Sequence, residues 1–255
     1  MLIVRREQMS ALSQARLVAF EREMLRHSRT VSPNLSRVLG EERLRAAIQQ
    51  GIQAARAYGF TYRGPIRLFL ELRFLFGSGF DIDPQYPWAA EILRSFQHQM
   101  QRADRLHHQT VEYGERVAGP NSVNTRVALK ELSVMAGRPL PFSAADFTGD
   151  MLREMHRVFP QKVEFTGIPP LRALIAEGLD LARRHQFEDI ESQAMLVVLM
   201  FAFGHSCASD PLYPWISNTI EDPRIIDPAA RARRLRKKSL TWLGSVLASP
   251  AEVSS

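Results

Sequence analysis

The chain has 255 residues, of which 45% are hydrophobic and 24% are charged, a balance typical of soluble globular proteins rather than of disordered ones. The longest apolar run, Ala194 to Phe203, has half the length that a membrane-spanning helix needs, so a buried helix is expected there. The start of the chain shows no apolar region long enough for a secretory signal, and the single Cys207 excludes an intramolecular disulfide bond. Both features predict a cytoplasmic location.

The net charge of +6 comes from one short segment near the C-terminus. Six basic residues lie within eight positions that contain no acidic residue; they are Arg231, Arg233, Arg234, Arg236, Lys237 and Lys238. Without them the chain would carry 27 basic and 27 acidic residues, because the total is 33 basic against 27 acidic. A broad cationic surface is therefore not expected.

Apolar residues at helical spacing predict three helices in the first part of the chain. The first is expected to begin near Ser10 or Ser13, either of which can cap it. It is expected to end before Pro33, because the residue that precedes a proline disfavours the helical conformation. The second helix is expected over about 40–58 and the third over 66–76.

A polar helix is predicted next, over about 89–117, followed by a shorter one over 124–136. The segment 122–141 contains one glycine and two prolines near its end, at Gly137, Pro139 and Pro141. These residues interrupt helices, so the segment is the predicted linker between two halves. No part of the chain shows sustained alternation of apolar and polar residues, which indicates an all-α protein.

The second half of the chain repeats the first at a shift of 127 residues. Between 20–93 and 147–220, 24 of 74 positions are identical without a gap. The repeat includes F-x-F-G, a spacer of five residues and D-P-x-Y-P-W, which ends at Trp88 in one copy and Trp215 in the other. The period is too long for a solenoid. The predicted fold is therefore an all-α tandem duplication, a pseudo-two-fold helical bundle.

This duplication predicts the domain organisation. Residues 1–121 form the first helical repeat and 122–141 the linker. Residues 142–248 form the second repeat, which carries the basic C-terminal helix, and 249–255 are predicted to be a disordered tail.

The repeated motif has a structural and a functional interpretation. Its glycine, aspartate, tyrosine and prolines are typical of a turn that buries aromatic rings and locks two helices. They are Gly77, Asp83, Pro84, Tyr86 and Pro87 in the first copy, and Gly204, Asp210, Pro211, Tyr213 and Pro214 in the second. The functional alternative presents Trp88 and Trp215 as anchors for a partner. The structural interpretation is favoured, because a locking turn explains why both copies keep the motif.

The two copies differ on their third helix. The first copy carries Arg67, Glu71 and Arg73, which predict a solvent-facing, charged surface for a partner. At the same places the second copy carries Ala194, Val198 and Met200. A helix that is apolar on every side is typically buried, and an exposed apolar face for another protein is the alternative.

No catalytic, metal-binding or cofactor-binding pattern is legible. Asp81 and Asp83 are not a shared acid pair, because the second copy has Ala208 in place of the first aspartate. The only histidine cluster, His98, His107 and His108, lacks the spacing of metal ligands. The glycines in 76–80 lack the strand and the Lys-Ser/Thr pair of a phosphate-binding loop. The sequence predicts a protein that is not an enzyme and that uses no metal or cofactor.

The basic segment has three interpretations. A cationic helix is typical of nucleic-acid contact, and one with tryptophan and leucine is typical of docking on a membrane surface. The third is a solvated C-terminal helix that packs on the protein body through Trp242.

Several stretches resemble a family of bacterial proteins encoded in type VI secretion effector loci, beside spike-tip and adaptor genes. They are Ile3 to Met9, Phe20 to Met24, Gly51 to Gly59 and Phe74 to Ala89. The resemblance implies an accessory protein, an adaptor or co-chaperone, whose partner is a secreted effector, a spike-tip protein or an adaptor component. It implies no catalytic residue. A cytoplasmic immunity protein that neutralises a toxin is the alternative, and a nucleic-acid-binding protein is a further one.

Overall fold

The structure is a computed structural model that describes residues 6–138, 142–143 and 145–248, with side chains from Gln14 onward. These residues form twelve α-helices and no strand, which confirms the all-α class. The first six helices are α1 (Arg6–Val31), α2 (Pro33–Ala57), α3 (Arg63–Phe76), α4 (Pro87–Arg94), α5 (Gln99–Tyr113) and α6 (Val123–Gly137). The other six are α7 (Phe147–Val158), α8 (Pro160–Thr166), α9 (Ile168–Arg184), α10 (Ile190–Phe203), α11 (Pro214–Ile220) and α12 (Pro228–Ala248). The predicted tail 249–255 lies outside the described residues.

Proline and glycine set the helix ends in the first part of the chain. Helix α1 already runs from Arg6, so the predicted start at Ser10 or Ser13 is wrong, but it ends before Pro33 as predicted. Gly40 was expected to begin a helix and instead bends α2, with φ 73° and ψ 167°. Gly167, which separates α8 from α9, has φ 82° and ψ 163°. Both positions adopt a backbone conformation that glycine alone enters without strain.

The long polar helix expected over 89–117 is two helices. Ser95, after the end of α4, has an extended backbone with φ −66° and ψ 150°. His98 then caps α5, because its Nδ1 accepts a hydrogen bond from the backbone N–H of Met100 at 3.3 Å. A π-helical turn (Gly114–Ala118) and a short 3-10 helix (Pro120–Ser122) lead from α5 into α6. A side-chain cap that periodicity does not reveal therefore divides the predicted helix.

Two apolar cores hold the fold, one in each half. Met24, Ile48 and Phe69 are fully buried in the first core, and Met151 and Val197 are fully buried in the second. The cores are joined, since Leu212 belongs to the first core and Phe159 packs against both.

Two helical glycines let neighbouring helices approach closely, as predicted. A Cβ on Gly51 would lie 2.4 Å from Cδ2 of Leu70, and one on Gly178 would lie 2.6 Å from Cγ2 of Val197. No side chain fits at either position without displacement, so the crossings of α2 with α3 and of α9 with α10 depend on glycine.

Helix α10 is buried along most of its length, as its apolar character predicted. Ala194 and Met200 are buried and Val198 is half-buried. Burial on nearly every face explains why this helix contains no charged residue after Glu191.

Candidate functional site

The repeated motif forms a clasp, defined as residues 77–88 together with 204–215, in which the two halves of the molecule meet. At its centre two glycine backbones touch. A Cβ on Gly77 would lie 2.6 Å from the carbonyl oxygen of Phe203, and a Cβ on Gly204 would lie 2.7 Å from that of Phe76. The backbones have nearly the same conformation, with φ 96° at Gly77 and 95° at Gly204. Only glycine permits both this conformation and this approach.

Two aspartates close the clasp by reciprocal hydrogen bonds. Oδ2 of Asp83 accepts from the backbone N–H of His205 at 2.8 Å. Oδ2 of Asp210 accepts from the backbone N–H of Ser78 at 2.7 Å. Each carboxylate therefore holds the residue that follows the central glycine of the opposite half. A carboxylate that accepts from a backbone N–H makes a charge-assisted bond, stronger than one between neutral groups.

The second oxygen of each aspartate shapes its own turn. Oδ1 of Asp83 accepts from the N–H of Gln85, and Oδ1 of Asp210 from that of Leu212, both at 2.8 Å. Burial raises the pKa of both carboxyl groups, and the backbone donors lower it in part. The aspartates thus act as Asx-turn residues and cross-links at once, which supports the structural interpretation of the motif.

The aromatic residues of the clasp pack beneath the turns. Trp88 is half-buried edge-on to Phe76, with ring centroids 5.8 Å apart, and Trp215 is half-buried edge-on to Phe203 at 6.0 Å. The prolines Pro87 and Pro214 begin α4 and α11, while Pro84 and Pro211 lie in the turns beside Tyr86 and Tyr213. Trp88 and Trp215 therefore pack inward, and neither stands out from the surface as an anchor.

One buried cation lies next to the clasp in the second half only. Lys162 is buried, and its Nζ donates to the carbonyl oxygen of Phe201 at 2.6 Å. Burial lowers the pKa of this amine to about 8, although nearby Asp83 opposes the shift. An amine with such a pKa suits general-base chemistry, but this one is enclosed between the rings of Tyr86 and Phe201. Its position favours a role in packing.

The charged surface predicted on α3 is only partly exposed. Arg67 faces solvent and pairs with Glu71 at 2.9 Å, and Glu71 also contacts Nε2 of His27 at 2.5 Å. Arg73, in contrast, is buried, and its Nη1 donates to the carbonyl oxygen of Ser78 at 2.7 Å. The expectation of a solvent-facing Arg73 is wrong, because this side chain turns toward the clasp.

The basic segment forms the middle of α12, and part of it is tied to the protein body. Arg231 donates to the carbonyl oxygen of Ile220 at 2.9 Å, and Nε of Arg236 donates to that of Ala136 at 2.6 Å. Arg233 and Arg234 pair more loosely with Asp227 and Asp222, at 3.4 and 3.5 Å. Lys237 and Lys238 make no side-chain ion pair with the described residues. Helix α12 therefore docks through its buried Leu235 and Leu243, which agrees with the third interpretation of the segment.

Sequence reasoning missed a parallel between α5 and α12. Nη1 of Arg102 donates to the carbonyl oxygen of Leu93 at 2.7 Å and its guanidinium lies 4.9 Å from the ring centroid of Phe60. Arg231 bonds Ile220, which follows Leu93 by 127 residues, and lies 6.0 Å from the ring of Phe187. The signal is R-A-x-R-L followed by Ser or Thr and an aromatic residue, in 102–113 and 231–242. Its shift is 129 residues, so a search at 127 does not find it.

A possible acid–base group beside the clasp was also weighed. Nδ1 of His205 lies 3.1 Å from Glu177, while Nε2 of His205 and Oγ of Ser206 are buried without a partner. A Cβ on Gly79 would lie 3.0 and 2.6 Å from these two atoms. The backbone at Gly79 covers the nitrogen and the hydroxyl, so a substrate has no access to them.

Two further searches covered only the described residues. Among them no three His, Cys, Asp or Glu side chains are grouped as metal ligands. None of their helices combines the length and apolar character that crossing a bilayer requires.

Fold and site together define an all-helical protein whose two halves are joined by a buried, reciprocal clasp. No family model matches the chain, and no curated protein or solved structure matches it.

Proposed function

We propose that the chain is a tandem duplication of a five-helix unit, arranged about a pseudo-two-fold axis through the clasp. The reciprocal bonds of Asp83 and Asp210 support this, because an isologous contact pairs each residue with the counterpart of its own partner. The parallel contacts of Arg102 and Arg231 extend the unit to α5 and α12. Helix α6 connects the two units.

We further propose that the protein is a non-enzymatic, protein-binding accessory factor of the cytoplasm, an adaptor or co-chaperone for a type VI secretion effector. The sequence resemblance supplies the kind of partner. One structural observation supports protein binding: the loop between the fourth and fifth helix of each unit exposes a large apolar residue. Phe96 is completely exposed before α5, and Ile226 is 89% exposed before α12.

These two residues lie on ordered turns. Gln99 accepts from the backbone N–H groups of Thr61 and Tyr62, at 2.7 and 3.0 Å, which ties the start of α5 to the loop before α3. Asp227, next to Ile226, accepts from the N–H of Ala229 at 3.0 Å. An apolar side chain held in place in water loses little conformational entropy when a partner buries it.

Co-purification with the protein encoded beside this one tests the adaptor hypothesis. We expect a stable complex, and we expect Phe96→Ser with Ile226→Ser to weaken it at least tenfold, since hot-spot residues contribute about 2 kcal/mol or more. Ile82→Ser is the matched control, because Ile82 is also exposed but lies in the clasp loop. If no complex forms, or if the control weakens it equally, the adaptor hypothesis is wrong.

The immunity alternative predicts the same complex with a different consequence. Cells that express the neighbouring toxin would survive when this protein is co-expressed. Survival would favour immunity, whereas delivery of the effector only in the presence of this protein would favour the adaptor.

Nucleic-acid binding through α12 ranks lower. Arg231 and Arg236 already donate to backbone carbonyls, and Arg233, Lys237 and Lys238 remain for phosphates. Few phosphate contacts give weak, salt-sensitive affinity. A gel-shift titration at low salt that gives the same affinity for the protein and for Lys237→Gln/Lys238→Gln would exclude this alternative.

A further inference from the structure

A cleft of about 400 Å³ lies in the second half, between α6, α10 and α12. This volume falls within the range of small-molecule sites, about 300–1,000 Å³. The wall supplied by α10 runs from Glu191 to Phe203, which at 1.5 Å per residue is about 18 Å long. Nothing in the clasp contributes to it except Phe203 at one end.

The cleft exists because small side chains face one another across three helices. Ala136 of α6, Ala202 of α10 and Ala232 of α12 all line it. The first half differs at the corresponding places, where Leu75 replaces Ala202 and the charged Glu71 replaces Val198. The apolar character of α10, which has no counterpart in α3, thus gives the second half an apolar recess.

The two ends of the cleft differ in polarity. At one end Arg236 donates to the backbone of α6 at Ala136 and lies 3.4 Å from Glu191, so α6, α10 and α12 meet there through charged groups. At the other end Leu132 and Leu243 pack together in an apolar cluster that includes Val198. An occupant that matches both ends has a polar head and an apolar chain.

The head is expected to be an anion. Three guanidinium groups and two carboxylates line the charged end; they are Arg138, Arg233, Arg236, Asp189 and Glu191. Asp189 already accepts from the N–H and hydroxyl of Ser192, at 2.8 and 2.5 Å. Arg233, in contrast, has only Asp227 at 3.4 Å and is largely exposed. The excess positive charge is therefore at Arg233.

The size of the cleft limits the apolar part. A helix is at least about 10 Å across, so a segment 18 Å long would occupy more than about 1,000 Å³. The cleft has less than half of that volume. A single unbranched alkyl chain is narrow enough to fit.

We propose that this cleft binds a single-chain amphipathic anion, a free fatty carboxylate, with its head at Arg233 and its chain directed toward Leu243. The inference does not depend on the proposed function, since it uses neither the exposed loops nor a partner protein. It gives the basic helix a role in ligand recognition through one of its arginines.

Isothermal titration calorimetry with decanoate below its micellar concentration tests the proposal. We expect saturable binding of one decanoate per chain, weakened about fourfold for each methylene removed in shorter carboxylates. Decyltrimethylammonium, with the same chain and the opposite charge, is expected to bind at least tenfold more weakly. This comparison uses the unmodified protein and so does not depend on the folding of any variant.

Variants then locate the site. Ala202→Trp fills the cleft and should abolish binding, whereas Leu75→Trp makes the same change at the corresponding exposed position of the first half and should not. Arg233→Gln should remove the preference for the carboxylate, whereas Lys237→Gln, one turn further on α12 and outside the cleft, should keep it. No saturable binding, equal affinity for the cation, or an unchanged affinity in Ala202→Trp that retains native circular dichroism would each overturn the proposal.

Discussion

Replacement of Gly77 by alanine is the sharpest test of the clasp. The backbone at this residue has φ 96° and ψ 157°, a region that residues with a Cβ enter at a cost of about 1–3 kcal/mol. The new Cβ would also lie 2.6 Å from the carbonyl oxygen of Phe203. A backbone atom cannot turn aside as a side chain can, so the two halves must separate locally.

The expected loss of stability follows from what this separation breaks. The neighbouring N–H of Ser78 donates to the carboxylate of Asp210, and a hydrogen bond to a charged group contributes about 1.5–3 kcal/mol. Added to the backbone strain, the total loss is about 3–5 kcal/mol. This is a large part of the free energy of unfolding of an ordinary domain, about 5–15 kcal/mol.

Urea denaturation followed by circular dichroism measures the effect, and Gly40→Ala is the matched control. Gly40 has φ 73° and ψ 167°, but no atom lies within 4 Å of an added Cβ. The control should therefore lose only the strain, about 1–3 kcal/mol. If Gly77→Ala is no less stable than Gly40→Ala, the close approach of the two halves does not contribute to stability and our account of the clasp is wrong.

Two further predictions concern buried cations. The pKa of Lys162 falls from 10.5 to about 8 on folding, so between these values the unfolded chain binds more protons and stability rises with pH, by at most about 1.4 kcal/mol per unit. Urea titrations from pH 8 to 9.5 should show this slope in the protein and not in Lys162→Leu, which introduces the residue found at Leu35 in the first half; an equal slope in both would contradict the assignment. Arg231→Met should lower thermal stability by about 1–3 kcal/mol, because it leaves the carbonyl of Ile220 unpaired. Lys237→Met should change it by less than about 0.5 kcal/mol, and equal effects would show that the basic segment is solvated throughout.

Much of the fold could be predicted from the chain itself. The helix-ending roles of Pro33 and Gly77 follow from the fixed φ of proline and the positive φ open to glycine. The close helix crossings at Gly51 and Gly178 followed from glycines placed inside helical patterns. These predictions hold because they depend on the local conformational preferences of single residues.

Other features of the site were not accessible from the sequence. The pattern R-A-x-R-L was present in both halves, but the loop before Arg231 is two residues longer than the loop before Arg102, which shifts the register from 127 to 129. The complete exposure of Phe96 depends on a capped turn that divides a predicted helix. An insertion or a cap changes the register without changing the helical pattern around it.

The sequence by itself determined an all-α protein and the positions of its turn residues, because helix periodicity, proline and glycine act over only a few neighbouring positions. Only the tertiary structure decided what those residues touch. Arg73 reads as a surface charge, yet it is buried and bonds the carbonyl of Ser78, and Asp83 reads as a turn residue, yet it also bonds the backbone of the opposite half. The physical reason is that burial and long-range hydrogen bonds arise from the docking of segments more than 120 residues apart, and no local preference encodes their distance.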